Sequence, residues 1–141
     1  DMGCTYEGYN SDLTRTFFIN SVEPELKQIY DIVHKAQNAA INAAKSGMTT
    51  GILDSVARDI IVNEGYGQEF RHSLGHGLGL EVHELPAIKQ GDFVLKSNMV
   101  ITIEPGIYVP GLGGVRIEDM VVIKPKGCEV LTKSSKQIEI I

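Results

Sequence analysis

The spacing of apolar residues changes period along the chain, and the changes mark its elements. Past Ser21, the residues Leu26, Ile29, Tyr30, Val33, Ala36, Ala40, Ile41 and Ala44 recur at helical intervals, Pro24 suits a first turn, and Gly47 stops the run. A long amphipathic helix is predicted, with His34 beside its apolar stripe as a partly exposed surface residue. Thr50 is placed to cap a second helix that carries Leu53, Val56, Ala57, Ile60 and Ile61 and ends at Gly65. Elsewhere the pattern is that of strands. Residues 1–20 mix the turn formers Gly3, Gly8 and Asn10 with a β-rich run over 13–19, which predicts a hairpin whose second strand starts from about Asp12. Residues 99–104 read as a strand closed by Pro105, residues 115–123 as another, and Val130 and Leu131 as part of a last one. With no internal repeat or linker, these elements predict one α+β domain, an antiparallel sheet with helices laid on one face.

One stretch fits neither period. Residues 71–86, RHSLGHGLGLEVHELP, hold His72, His76 and His83 among Gly75, Gly77 and Gly79. Each glycine costs about 1 kcal/mol against alanine inside a helix, so a glycine-rich loop is predicted, closed by Pro86 and leading into a short strand on which Leu78, Leu80 and Val82 alternate. A helical zinc motif would need a glutamate where Ser73 stands, and the glycines run G-x-G-x-G rather than the G-x-G-x-x-G of a dinucleotide loop. Any one of the histidines could be a hydrogen-bonded core residue. Three in one glycine-rich loop argue for chemistry instead.

Composition narrows the class. At 141 residues, 43% hydrophobic, with a mean hydropathy of −0.02, the chain is an ordinary globule that needs no disulfide staple. No apolar run approaches the ~20 residues of a membrane helix and no signal-peptide pattern is present, so a cytoplasmic location is expected. Cys4 and Cys128 form no C-x-x-C, which excludes a zinc finger and predicts reduced thiols. A net charge of −5 with no run of Lys and Arg argues against nucleic-acid binding.

The carboxylates then become informative. Strand alternation puts Arg116, Glu118 and Met120 on one face, a face that is either solvated or functional. Glu104, ending an apolar strand, is harder to explain as surface. Asp1 and Asp12 sit on the predicted hairpin. Carboxylates gathered within ~4 Å would repel by about 4 kcal/mol per pair at an effective dielectric of ~20, so such a group needs cations. Four carboxylates and one imidazole would suit a pair of divalent ions, and an oxygen-rich set favours manganese, cobalt or iron while zinc can also bind.

Four segments carry a resemblance. D-x-G-x-x-Y-x-G-Y-x-S-D-L-T-R-T (residues 1–16), H-S-L-G-H-G-L-G-L-E-V-H-E (72–84), I-E-P-G-I-Y (103–108) and V-R-I-E-D (115–119) resemble those of the Xaa-Pro peptidases, prolidase and aminopeptidase P. The wider superfamily includes methionine aminopeptidase and creatinase. The resemblance implies the "pita-bread" α+β fold, with residues 1–141 as the C-terminal portion of its catalytic domain. It implies a dinuclear metal centre held by Asp1, Asp12, His76, Glu104 and Glu118, with manganese first among the candidate metals. It further implies hydrolysis of a peptide whose second residue is proline, by a metal-bridging hydroxide. Glu104 would shuttle a proton, His83 would donate to the developing oxyanion, and His72 and Arg116 would face the residue after the scissile bond, Arg116 as a clamp for a terminal carboxylate.

Two alternatives follow from the same resemblance. Some proteins of this fold have lost the metal and serve as interaction modules, but a degenerate site would lack a ligand and all five are present. Creatinase-type chemistry works without those ligands and is disfavoured on the same ground. The family's first strands and N-terminal domain do not precede Asp1. A chain so cut is expected to hold metal weakly and hydrolyse poorly, and its exposed sheet edge is expected to pair in a homodimer.

Overall fold

The computed structural model describes residues 1–141. A tight hairpin opens the chain, β1 (Thr5–Tyr6) and β2 (Tyr9–Asn10), turned by Glu7 and Gly8 at φ of 49° and 84°. Positive φ at both turn residues is what a two-residue hairpin demands, and Gly8 meets it without steric cost. The expected second strand from about Asp12 is therefore displaced. Pairing ends at Asn10, and beyond it only Leu13 returns to make a single bridge to Met2.

Helix α1 (Pro24–Ala43) starts with proline in its first turn and buries Ile29, Tyr30, Ile32, Val33, Ala36, Gln37 and Ala40. His34 lies half-buried at the stripe's edge, as its position predicts. Helix α2 (Thr50–Asn63) buries Leu53, Ala57 and Ile61 against it. Its cap is Thr49, whose hydroxyl accepts from the Ile52 amide at 3.3 Å, and not Thr50, which is the first helical residue and is itself buried. Neighbouring threonines offer the same capping chemistry, and the extended backbone at Thr49, φ −84° and ψ 155°, decides between them. No helix is long and apolar enough to cross a membrane.

Five strands form one antiparallel sheet in the order β4 (Glu84–Ile88), β3 (Gly75–Gly77), β5 (Val100–Ile103), β8 (Asp119–Lys124) and β9 (Gly127–Val130). A separate hairpin pairs β6 (Gly106–Val109) with β7 (Gly113–Arg116). Both helices cover one face of the sheet, and Ile101, Ile103, Val121 and Ile123 meet them in a single core. Pro86 does not close a segment. It lies inside β4, the sheet's outer strand, where an absent N–H costs no ladder bond.

Two predicted strands are corrected. Residues 115–123 are two strands with different partners: Val115 pairs with Ile107, whereas Asp119 pairs with Ile103. Residues 115, 117, 119, 121 and 123 all stay buried across the join, so the side that faces the core does not mark the change of partner. Residues 78–83 are not a strand at all. Leu78 is buried while Leu80 is 68% exposed and Val82 41% exposed. The sheet pairing sits earlier, at Gly75–Gly77, because glycine there allows the backbones to close up: a Cβ on Gly75 would run into the Thr102 carbonyl oxygen. The following loop is held by Asn10, whose amide side chain donates to the Gly79 and Leu80 carbonyls at 3.2 and 2.9 Å.

Candidate metal centre and active-site cleft

The sheet and its flanking loops bring residues from four segments to one cleft. Asp12 follows β2, His76 stands in β3, Glu104 ends β5, and Glu118 occupies the two-residue join between β7 and β8. One ligand atom each of Asp12, His76 and Glu118 lies within 4.8 Å of the others. Glu104 joins them through His76, whose Nε2 is 3.2 Å from Glu104 Oε1 and 3.7 Å from Asp12 Oδ2. Asp1 lines the same cleft, of about 390 Å3, but its carboxylate accepts from Arg116 at 2.6 Å instead of meeting the other four.

The electrostatics are those of a group gathered at a cost. Glu118 is 2% exposed; its Oε2 accepts from the Thr14 hydroxyl at 2.6 Å, while Oε1 has no hydrogen-bond partner at all. Burial pushes its pKa up to about 7, helped by the nearby charges of Glu104 and Asp12 and opposed by the Thr14 hydrogen bond and Arg116. An orphaned buried carboxylate oxygen costs roughly 1–3 kcal/mol or more unless something binds it. His76 responds in the other sense. Burial works against its charge, but the hydrogen bonds to Glu104 and to the Gly77 carbonyl, with the Glu104 and Asp12 charges, raise its pKa. Burial alone would raise Glu104, yet His76 and the Thr102 hydroxyl hold it below the usual carboxylate range. With Nδ1 facing the Gly77 carbonyl at 3.0 Å, Nε2 is the nitrogen turned to the carboxylates, so its proton stands where a cation would.

These donors fit a divalent ion. Three carboxylate groups and an imidazole, with no thiolate, match the oxygen and nitrogen preference of manganese, cobalt, iron or zinc. The unpartnered Glu118 Oε1 is the free coordination position that such an ion needs.

A second cleft shares His76, His83 and Glu104 with the first and extends to His72, Leu85 and Arg116. His83 is carried on the loop before β4, its ring 4.3 Å from that of His76. His72 Nδ1 donates to the Ser73 carbonyl at 2.8 Å, and its Nε2 lies 3.0 Å from the Tyr108 hydroxyl. Tyr108 in turn accepts from Arg116 at 3.1 Å. The guanidinium is thereby shared among Tyr108, Thr14 and Asp1. The sequence pattern alone does not single out Tyr108 or Thr14. Their signal was there: Thr14 lies two residues beyond Asp12 and so on the same side of an extended chain, and Tyr108 closes the I-E-P-G-I-Y segment.

Comparison with known proteins places this geometry. Residues 1–125 match metallopeptidase family M24. The chain belongs to that family. Among M24 relatives it is similar to an Xaa-Pro dipeptidase of Pyrococcus furiosus, 56% identical over 139 residues that cover 98% of this chain and 40% of the relative. Two solved structures are similar at a TM-score of 0.95: an Xaa-Pro dipeptidase from Bacillus anthracis and an X-Pro aminopeptidase from Thermotoga maritima. The first is 48% identical over 96% of this chain and 39% of its own, the second 50% over 99% and 40%. The pita-bread fold expected from the sequence is therefore the fold of this M24 chain. It spans about 40% of the length of the curated relatives it matches.

Proposed function

We propose that the protein hydrolyses the bond preceding proline in Xaa-Pro peptides, as a dipeptidase or aminopeptidase, with divalent metal ions, manganese first among them, held by Asp12, His76, Glu104 and Glu118 and joined by Asp1. The observation that carries this reading is the unpartnered, buried Oε1 of Glu118 beside Asp12 and His76, an arrangement that is expensive without a cation. When bound, such ions polarise a carbonyl and make water acidic near neutral pH.

The chain's own residues supply the rest. Glu104 Oε1 holds the His76 proton in the metal-free protein and is free to move a proton once His76 is a ligand. It then takes a proton from the attacking water and delivers it to the proline nitrogen as that nitrogen leaves. His83, in both clefts, donates to the oxygen on which charge develops. His72 and Arg116, fixed by Tyr108, face the proline side, and Arg116 supplies the planar fork suited to a terminal carboxylate. Exchange of Asp1 from Arg116 to the ions would release that fork.

The test is hydrolysis of Ala-Pro and of a longer Xaa-Pro peptide by metal-stripped protein, before and after addition of Mn2+. Proline release that appears with Mn2+ and is lost in Glu104→Gln supports the reading. Equal turnover by the Glu104→Gln variant would contradict it.

A further inference from the structure

The most heavily hydrogen-bonded side chain in the protein lies outside the cleft. The side chain of Arg15 is 6% exposed and uses all five of its N–H groups: Nε to the Ser135 carbonyl, one terminal nitrogen to the carbonyls of Thr14 and Glu118 at 2.8 and 2.6 Å, the other to Asp119 Oδ1 at 2.7 Å and the Ser134 carbonyl. Two of these acceptors belong to the site, since Thr14 holds Glu118 through its hydroxyl and the Glu118 amide donates back to the Thr14 carbonyl at 3.1 Å. Three belong to the far side of the strand and to the C-terminal segment.

Asp119 is the hub of that far side. It is fully buried next to Glu118 and points the opposite way, as alternation requires. Besides Arg15 it accepts from Thr132 at 2.7 Å, Lys136 at 2.9 Å and, from α1, Gln37 at 3.0 Å. Thr132 also accepts from the Met120 amide, and Lys136 also reaches the side-chain oxygens of Gln37 and Asn38. Residues 132–136 therefore contribute two side chains and two carbonyls to a cluster whose other members fix Thr14 and Glu118. The match to the family model ends at residue 125, before this segment.

We propose that residues 132–136 form a strap that positions the metal centre, acting through Asp119 and Arg15 on the Thr14–Glu118 pairing. The strap touches no metal ligand's carboxylate; it sets where Glu118 and the Asp12–Thr14 segment stand relative to each other. Arg15 suits this role because only a planar five-donor group satisfies acceptors from the segment 14–15, the β7–β8 join and the strap at once, which a lysine with three donors on one atom cannot do. Coupling of this kind is reciprocal: cations at the site must tighten the strap as much as the strap tightens the site.

The proposal rests on the reading that Asp12 and Glu118 hold metal, and its test separates the two. Mn2+ is titrated calorimetrically into metal-stripped wild type, Lys136→Met, and Thr132→Val with Lys136→Met, and amide exchange is followed with and without Mn2+. Both substitutions keep side-chain bulk at the edge of the cluster and leave every cleft residue intact. The expected result is a roughly tenfold loss of Mn2+ affinity in the double variant, within the range for groups that orient ligands. It is accompanied by faster exchange of the Glu118 amide even without metal, unchanged protection in α2, and, in wild type, slower exchange of the Leu131 amide when Mn2+ is added. Wild-type affinity in the double variant overturns the strap and leaves the metal site standing. Loss of protection throughout α2 overturns it too, since the effect is then global. Failure of wild type to bind Mn2+ overturns the metal reading and the strap with it.

Discussion

Replacing Glu118 with glutamine should make the metal-free protein more stable while removing its response to metal. The substitution keeps the shape of the side chain and its acceptor for the Thr14 hydroxyl, and deletes a charge that burial disfavours. The folded-state pKa is raised from 4.5 to about 7. A raised carboxyl contributes stability that is fully present below its unfolded pKa and is lost as pH rises through the folded value, so the wild-type penalty grows between pH 4.5 and about 7. At 1.36 kcal/mol per pH unit the full penalty is about 3 kcal/mol, equivalent to about 10 °C in Tm for a chain of this size. Thermal unfolding in EDTA at pH 4, where the two proteins should agree, and at pH 8, where the variant should melt higher, measures it. Adding Mn2+ at pH 8 should raise the wild-type Tm and leave the variant unmoved. A variant no more stable than wild type at pH 8 in EDTA would show that Glu118 carries no electrostatic penalty and would remove the main physical reason for placing a cation there.

Three further outcomes follow from individual contacts. Tyr108→Phe removes the hydroxyl that joins His72 to Arg116; turnover of a Xaa-Pro dipeptide should fall about tenfold or more with little change in Tm, as read from steady-state kinetics beside a melting curve. Gly75→Ala puts a methyl group against the Thr102 carbonyl, and since Thr102 also binds His76 and Glu104, it should cost about 1–3 kcal/mol in urea unfolding and weaken Mn2+ binding together. Thr49→Ala should lose about 1 kcal/mol in the same assay, whereas Thr50→Ala should leave the cap intact.

The parts of the fold that were readable in the sequence are those whose partners lie nearby along the chain. Helix α1 announces itself because its buried residues recur on one stripe, and Gly8 and Gly47 mark turns that require positive φ. The alternation of Arg116, Glu118 and Met120 also held: Arg116 and Glu118 both meet Thr14, and Met120 meets the Asp12 amide through its sulfur. What the pattern hid depends on distant partners. The break between β7 and β8 is a change of neighbour with the same residues still facing the core, and the loop over residues 78–83 keeps a strand-like alternation while Asn10, some seventy positions away, takes its carbonyls. Strand alternation already sets Asp119 on the face opposite Glu118, but only the fold shows the cluster of Arg15, Lys136 and Gln37 that receives it there. The five candidate ligands were legible through the family motifs; that Asp1 meets Arg116 instead of the other four is visible only in three dimensions.

We infer that the cleft between β3, β5 and the β7–β8 join is built around divalent cations. Anomalous scattering from crystals grown with Mn2+ tests it most directly. Density is expected within ligand distance of Glu118 Oε1, Asp12 and His76 Nε2, with the His76 side chain drawn off Glu104. Crystals saturated with Mn2+ that show no anomalous peak between these three side chains would contradict it.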